Sequence, residues 1–350
     1  STTPPLTYVP DDNFENYLEA NGMGDGIALN DYVFTSAIDT VTNLDVSNQN
    51  IADLTGIEDC IYLIDLDCSN NQISNIDVSY NTALKYLECN ANQLTVLDVS
   101  SNTVLDYLQC SSNQLTSIDV SGATVLNYLA CKDNQLTSLD VSNNTVLTYL
   151  ACWYNQLINI NVSANIDLID LICTSNQLTS LDVSNNTVLT TLSCSDNLFT
   201  SLDLRNGNNI NFIIFNAQGN SNLNCIDVDD SAWSTTNWTA ANGNIDPQHY
   251  FSNNCSSVAF DCTDSLEVTD VIIDNTNLTM NIAIYNGYNY FLNYPYVAFT
   301  IDANGDTIQS GNMNLFGANN LVTTWYNYSI SNVIFPAYPL TMYFVYSDGS

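Results

Sequence analysis

Apolar and polar positions along the middle of the chain recur with a step of 21 residues, as from Cys68 to Cys89. An asparagine follows each of these recurring cysteines three residues later. One such unit is too short to bury its own apolar side chains, so we predict that the units stack as a solenoid. The cysteines on this step are Cys68, Cys89, Cys110, Cys131, Cys152, Cys173 and Cys194.

The ladder extends by one substituted position at each end, Val46 and Phe215, which predicts nine rungs. Within a rung, alternation along a strand places Leu87 and Cys89 inside and Tyr86 outside. Nine strands spaced about 4.8 Å apart give a ladder about 40 Å long. The asparagines are expected inside the turns, because buried amides need hydrogen-bond partners and neighbouring rungs offer backbone groups.

The half-unit LxxLxCxxNxL resembles the leucine-rich repeat, with cysteine in place of the last leucine of the strand. The second half, LxxLDVSxN, repeats this spacing and carries its own apolar ladder. Over about residues 41–222 the nested pattern resembles the 21-residue class of bacterial surface repeats called IRREKO. That resemblance implies a secreted or cell-surface protein exported by a type IX-like route. The second apolar ladder comprises Val78, Val99, Val120, Val141, Val162, Val183 and Leu204.

The repeat is flanked by segments of different character. Residues 1–40 are predicted as an N-terminal cap with a helix whose N-cap is Asp11 or Asp12. Residues 223–262, with Trp233 and Trp238, are predicted as a C-terminal cap, because a solenoid must cover its apolar ends.

Residues 263–350 are predicted as an immunoglobulin-like β-sandwich whose completeness the sequence leaves open. The fold class is therefore mainly β: a leucine-rich-repeat solenoid with a helical N-terminal cap, followed by the sandwich. The predicted sandwich strands are Leu266–Ile273, Thr279–Tyr285, Tyr296–Asp302, Thr323–Ile330 and Leu340–Tyr346.

Charge narrows the classes of partner. The chain has 37 acidic residues against three Lys or Arg, for a net charge of −34. Nucleic acid and anionic membrane surfaces are excluded as partners, since both require clustered basic side chains. No run of about 18 apolar residues is present, so membrane insertion is not expected. The acidity indicates either a solvated coat or sites for cations.

An outward acidic ladder recurs in the second half of the units, interrupted by Asn161. Neighbouring carboxylates at this spacing repel, so something must offset the repulsion. Hydrogen bonds from Ser, Thr or backbone groups are one explanation, and bridging calcium is the other. No cofactor is required, and calcium is the one that the pattern allows. The ladder comprises Asp77, Asp98, Asp119, Asp140, Asp182 and Asp203.

The cysteines fall into two groups. The ladder cysteines are expected as buried free thiols, because their side chains point in parallel and free cysteine packs as a small apolar residue. Cys225 and Cys255 flank the C-terminal cap, and we predict a disulfide between them. Cys60 is expected to pack in the irregular first repeat, and the partner of Cys262 stays open.

An aromatic stripe is the candidate ligand-binding face, since Tyr and Trp contribute much of the energy at binding surfaces. The alternative is that tyrosine is simply a favoured strand residue. The stripe comprises Tyr86, Tyr107, Tyr128 and Tyr149, with Trp153 and Tyr154 beyond them. The family resemblance also implies O-glycosylation at Asp-Ser/Thr-apolar matches, here Thr40, Ser231, Ser265 and Thr307.

Catalysis is not expected. His249 is the only histidine, and no nucleophile elbow, HExxH, P-loop or Rossmann glycine pattern occurs. The leading hypothesis is a non-catalytic extracellular binding or adhesion module that presents a repeat-built surface to a glycan or protein. The alternative is a structural subunit of a cell-surface layer or filament that self-assembles by strand addition or calcium bridging.

Overall fold

The computed structural model describes residues 4–255 in full and then the backbones of six strands between residues 266 and 345. The chain divides into two compact units, Ser1–Cys255 and Ser256–Ser350. The division falls inside the segment 223–262 that was assigned to the C-terminal cap. The predicted boundaries of the caps therefore stay predictions.

A parallel sheet of nine short strands organises the first unit. Adjacent strands pair in register one rung apart, as Tyr128–Ala130 does with Tyr149–Ala151. The middle residue of each strand is buried, which confirms the inward and outward alternation and the nine predicted rungs. The strands are Asn43–Asp45, Asp65–Asp67, Tyr86–Glu88, Tyr107–Gln109, Tyr128–Ala130, Tyr149–Ala151, Asp170–Ile172, Thr191–Ser193 and Ile214–Asn216.

The cysteine ladder lines the interior directly after these strands. All seven ladder cysteines are fully buried and carry free thiols, as predicted, and Cys60 is buried and free as well. Cys110 and Cys131 donate their backbone N–H groups to the carbonyls of Ala130 and Ala151, each at 2.9 Å, so they occupy successive positions of one column. Burial raises the pKa of the Cys131 thiol to about 12 and keeps it protonated at neutral pH.

The asparagine ladder joins successive rungs. The amide of Asn134 donates to the carbonyls of Cys110 and Cys131, both at 3.1 Å, and its Oδ1 accepts the N–H of Leu115 at 2.9 Å. The same pattern recurs at Asn92, whose Nδ2 donates to Cys68 and Cys89. These bonds confirm the role predicted for the ladder.

A second buried asparagine column, which the sequence analysis did not predict, lies in the other half of the units. The Nδ2 of Asn144 donates to the carbonyls of Val120 and Ala123 in the preceding rung, at 3.0 and 2.8 Å. This column therefore ties the second apolar ladder together from inside. Its members are Asn81, Asn102, Asn144, Asn165 and Asn186.

Strand structure in the second half of the units is sparse. Val96–Asp98 pairs in parallel with Ser117–Asp119, and an isolated bridge joins Asp182 to Asp203. The apolar ladder from Val78 to Leu204 is nonetheless buried throughout. Inward packing, rather than a continuous second sheet, therefore defines this half of the described units.

At the N-terminal end, a helix spans Asp12–Ala20, and the Asp11 side chain accepts the N–H groups of Asn13 and Phe14 as its N-cap. Phe14 and Leu18 are buried in the same cluster as the solenoid core. The remaining elements here are the antiparallel strands Leu6–Tyr8 and Tyr32–Phe34, the helix Thr35–Ile38 and the 3-10 helix Ile57–Asp59.

At the other end of the first unit, Cys225 and Cys255 form the predicted disulfide, with their Cα atoms 5.8 Å apart. Trp238 packs against Phe215 and Phe251. The elements are the 3-10 helix Asn209–Asn211, the helix Ser231–Asn237 and a parallel sheet of Leu202–Asp203, Cys225–Asp227 and Tyr250–Ser252.

The second unit contains two antiparallel three-stranded sheets. One consists of Leu266–Ile273, Asn277–Ile284 and Thr324–Ser331, and the other of Thr307–Asn314, Pro295–Ile301 and Met342–Val345. Five of these strands overlap the predicted ones. Thr307–Asn314 was missed because its sequence, TIQSGNMN, lacks a clear apolar alternation. The immunoglobulin-like sandwich stays a prediction, and Cys262 lies outside the described residues.

Candidate binding face

The outward side chains of the nine-stranded sheet form one surface, which we call the sheet face. In-register pairing arranges them in two columns, which we call the first and third columns after the position of their residues in the three-residue strands. The first column, from the first residue of each strand, is Asn43, Asp65, Tyr86, Tyr107, Tyr128, Tyr149, Asp170, Thr191 and Ile214. The third column, from the third residue, is Asp45, Asp67, Glu88, Gln109, Ala130, Ala151, Ile172, Ser193 and Asn216.

Four predicted tyrosines meet in the first column. The rings of Tyr107, Tyr128 and Tyr149 stack with centroids 4.3 Å apart and interplanar angles of 12° and 3°. Tyr86 lies 6.4 Å from Tyr107 at a tilt of 43°. Burial raises the pKa of Tyr149 to about 12, so its phenol is neutral and can donate a hydrogen bond. The sheet therefore presents a preformed aromatic surface.

Trp153 and Tyr154 form a separate pair in the loop after Cys152. Their rings stack at 5.5 Å, and the Nζ of Lys132 lies 4.9 Å from the centre of the Trp153 ring. Tyr154 is 54% exposed and has a φ of 50°, in the left-handed region that bulky residues rarely adopt. Other rungs place small or polar residues there, including Ala91. The aromatic pair is therefore a local departure from the repeat.

Carboxylates at one end of the sheet face were missed by the sequence analysis. Asp45, Asp67 and Glu88 are register partners on successive strands, and Asp65 pairs with Tyr86. Burial, followed by the charges of neighbouring acids, raises the pKa of Glu88. Burial and the charges of Asp67 and Asp45 likewise raise the pKa of Asp65. The sequence did contain a signal for these carboxylates: Asp65 and Asp67 flank Leu66 in the same way as Tyr86 and Glu88 flank Leu87.

The acidic ladder of the second half uses its carboxylates locally. Oδ1 of Asp119 and of Asp140 accepts the N–H two residues further on, each at 2.9 Å. Hydrogen bonds from Ser121 and Ser142 lower the pKa of these two carboxyls. Asn161 makes the same bond with Ser163 at 3.0 Å. Hydrogen bonding thus accounts for these positions, and calcium bridging stays a prediction.

The remaining members of the acidic ladder also bind groups close to them in the chain. Asp77, Asp98 and Asp182 each accept a serine N–H, and Asp203 pairs with Arg205 at 2.6 Å. Within the described residues, the one acidic set with three ligand atoms mutually within 4.8 Å is Asp12, Glu15 and Asp31, near the N-terminal helix. Both oxygens of Glu15 already accept backbone N–H groups, from Asn30 and Asp31.

The structure describes the side-chain surroundings of two of the four candidate glycosylation residues. Thr40 is exposed, whereas the Ser231 hydroxyl donates to Asn253 at 2.7 Å. Thr307 begins a strand of the second unit, and Ser265 lies outside the described residues. Modification at these positions stays a prediction.

His249 is buried and lies within hydrogen-bonding distance of the Asn220 carbonyl, at 3.3 Å. Burial lowers its pKa, which favours the neutral imidazole. Across the residues that the structure describes, no helix has the length and apolarity needed to cross a bilayer.

No protein-family model matches the chain. Over 75 residues, or 21% of its length, it is 43% identical to Internalin J of Listeria monocytogenes, and this covers 8% of that protein. The functional domain of InlJ from Listeria monocytogenes, described as including a cysteine ladder, is 36% identical with a TM-score of 0.56. That match covers 65% of this chain and 53% of the solved domain.

A crystal structure of another Listeria monocytogenes internalin matches at 20% identity and a TM-score of 0.47, over 65% of this chain and 100% of that one. The chain thus spans about half of the solved InlJ domain and a small part of Internalin J itself. The likeness to InlJ confirms the leucine-rich-repeat solenoid with its cysteine ladder. The IRREKO class and type IX export stay predictions.

Proposed function

We propose that this chain is a non-catalytic extracellular binding module that contacts a protein or glycan through the tyrosines of its sheet face. The observation that carries the proposal is the stacked column of Tyr107, Tyr128 and Tyr149. Aromatic side chains supply large contact area with few rotatable bonds. Because the stack is already ordered, its tyrosine side chains lose little additional entropy when a partner binds.

The repeat itself does not require tyrosine in this column. Asp170 and Thr191 occupy the same position in later rungs and pair in the same sheet. Strand propensity alone therefore does not explain four successive tyrosines, although mutual ring contacts contribute about 0.5–1.5 kcal/mol per pair. A contact function explains why the aromatic rungs are adjacent.

Likeness to an internalin supports an extracellular or cell-surface location. Internalin-like leucine-rich-repeat proteins are typically extracellular binding or adhesion modules, and they bind protein partners. Their similarity to this chain also gives indirect support to a non-catalytic role. This likeness does not decide whether the partner of this chain is a protein or a glycan.

The test is a binding screen of the whole chain against immobilised extracellular proteins and glycans. We expect the double variant Tyr107→Ala/Tyr128→Ala to lose binding, because it removes the centre of the stack. Tyr62→Ala/Tyr80→Ala is the matched control, since these tyrosines are 59% and 65% exposed and lie outside the column. Full binding by the column variant would place the contact surface elsewhere.

Self-assembly into a surface layer or filament is the alternative function. It predicts that the purified chain forms polymers, and that calcium changes their size if carboxylates are bridged. Size-exclusion chromatography with and without calcium separates the alternatives. Monomers under both conditions would count against assembly.

A further inference from the structure

The acidic end of the sheet face, which we define as Asp45, Asp65, Asp67 and Glu88, adjoins the tyrosine column. Asp65 is the register partner of Tyr86, and Glu88 is on the same strand as that tyrosine. In the third column, the carboxylates give way to Gln109. The sheet face therefore changes from acidic to aromatic within two rungs.

Asp45 and Asp67 each accept the N–H two residues further on, from Ser47 at 3.0 Å and from Ser69 at 2.9 Å. An amide makes the same bond in this column, as Asn216 does with Gln218, so the fold does not require the charge of these carboxylates. Later third-column positions hold neutral side chains, such as Ala130 and Ala151, in the same parallel pairing. Register pairing instead forces Asp45, Asp67 and Glu88 onto successive strands about 4.8 Å apart, where like charges repel. Residues kept at a cost to folding are candidates for function.

No cation of the described residues compensates this charge by a salt bridge. Among these residues, Arg205 pairs with Asp203, away from the acidic end, and the neutral imidazole of His249 lies near Asp246. The raised pKa values of Asp65 and Glu88 reflect burial first and then the charges of the neighbouring carboxylates. A cationic partner would relieve this repulsion on binding.

We propose that the sheet face binds an extended segment of a protein partner, with Lys or Arg side chains on the acidic end and apolar or aromatic side chains along the tyrosine column. This inference rests on the proposed function and names the chemistry of its partner. Charge complementarity places the basic end of the segment over the acidic end of the sheet face. Contact between the apolar side chains of the segment and the stacked rings supplies the rest of the contact area.

The length of the segment follows from the sheet. Six strands, from Asn43–Asp45 to Tyr149–Ala151, span about 24 Å at about 4.8 Å per strand. An extended chain covers about 3.3 Å per residue, so the surface accommodates about seven residues. Such a segment is long enough to contact both chemistries at once.

The experiment is a selection of displayed random heptapeptides on the whole chain, followed by titration of the enriched peptides. We expect enriched sequences to carry Lys or Arg at one end and apolar or aromatic residues at the other. The variant Asp65→Asn/Asp67→Asn/Glu88→Gln should weaken their binding about tenfold, because it removes three charges but preserves side-chain size. Raising the salt concentration should weaken wild-type binding in the same direction.

A matched control separates this site from general attraction to a chain of net charge −34. Asp119→Asn/Asp140→Asn/Asp182→Asn removes the same charge from the acidic ladder, and Asn161 shows that asparagine forms the same local hydrogen bond. We expect this control to bind like wild type. Equal weakening in both triple variants would overturn the proposal, and melting curves verify that both variants fold.

The remaining outcomes distinguish the inference from the proposed function. If Tyr107→Ala/Tyr128→Ala loses binding while the acidic-end variant does not, the sheet face binds but the cationic chemistry is wrong. The inference is also overturned if the enriched peptides lack basic residues, or if no peptide is enriched. It is likewise overturned if the chain binds only neutral glycans and this binding depends on the tyrosines. If neither set of variants changes binding, both proposals fail.

Discussion

Removal of one ladder asparagine tests whether buried amides hold the rungs together. Asn134→Ala deletes an amide that donates to Cys110 and Cys131 and accepts from Leu115, in a side chain only 8% exposed. The Leu115 N–H would lose its acceptor in the interior. The carbonyls of Cys110 and Cys131 would each lose one donor and keep a second, from Asn113 and Asn155 respectively.

The expected cost is large for a single substitution. A buried donor left without a partner costs about 1–3 kcal/mol, and each further lost hydrogen bond costs about 1 kcal/mol. Together these losses predict a destabilisation of about 3–5 kcal/mol. Solenoid stability is roughly a sum of rung and interface terms, so a central rung should affect both neighbours.

Urea unfolding followed by circular dichroism measures the effect. Asn143→Ala is the control, because Asn143 is exposed and makes one bond to Ser121, at 3.2 Å. We expect the control to change the free energy of unfolding by less than about 0.5 kcal/mol. If Asn134→Ala costs no more than Asn143→Ala, the asparagine ladder does not stabilise the solenoid as argued.

Three further predictions concern the cysteines and the acidic end. Because burial keeps the ladder thiols protonated, they should resist a thiol reagent at pH 8 in the native protein and react with it in urea. Rapid labelling of Cys131 in the native protein would contradict its assignment to a buried column. Reduction of Cys225–Cys255, which closes a loop with a sequence separation of 30, should lower the free energy of unfolding by about 3–4 kcal/mol, and an unchanged urea midpoint would argue against this. Glu88→Gln should raise the melting temperature at pH 7, because the raised pKa of Glu88 shows that the fold disfavours its charge. As pH falls through that pKa, Glu88 gains a proton and the advantage should disappear, so a difference that grows in acid would refute this sign.

Strict recurrence made much of the solenoid predictable. A cysteine or asparagine that returns at one step occupies the same place in every rung, so the spacing alone assigns Cys131 and Asn134 to interior columns. The second asparagine column was missed although Asn144 and Asn165 also keep the step, because asparagine is equally favoured in exposed turns. Its backbone bonds depend on the depth of the turn, which spacing does not reveal.

The candidate site was predictable only where it follows the repeat. The tyrosines recur, so their column was foreseen, but ring separation depends on side-chain packing that the sequence does not specify. Asp65 and Asp67 stand where the next rung carries Tyr86 and Glu88 and a later rung carries Tyr128 and Ala130. No single residue type therefore recurs at these positions, and periodicity gave them no weight. The strand Thr307–Asn314 was missed for a different reason, since its polar sequence lacks alternation and its pairing is set by neighbouring strands.

Radical footprinting of the protein bound to its strongest partner from the binding screen tests the central claim most directly. The side chains of Tyr107, Tyr128 and Tyr149 are predicted to oxidise more slowly in the complex, while Tyr62 and Tyr80 oxidise at the same rate as in the free protein. Protection of Tyr62 and Tyr80, with no change at the three stacked tyrosines, would contradict the assignment of the sheet face as the binding surface.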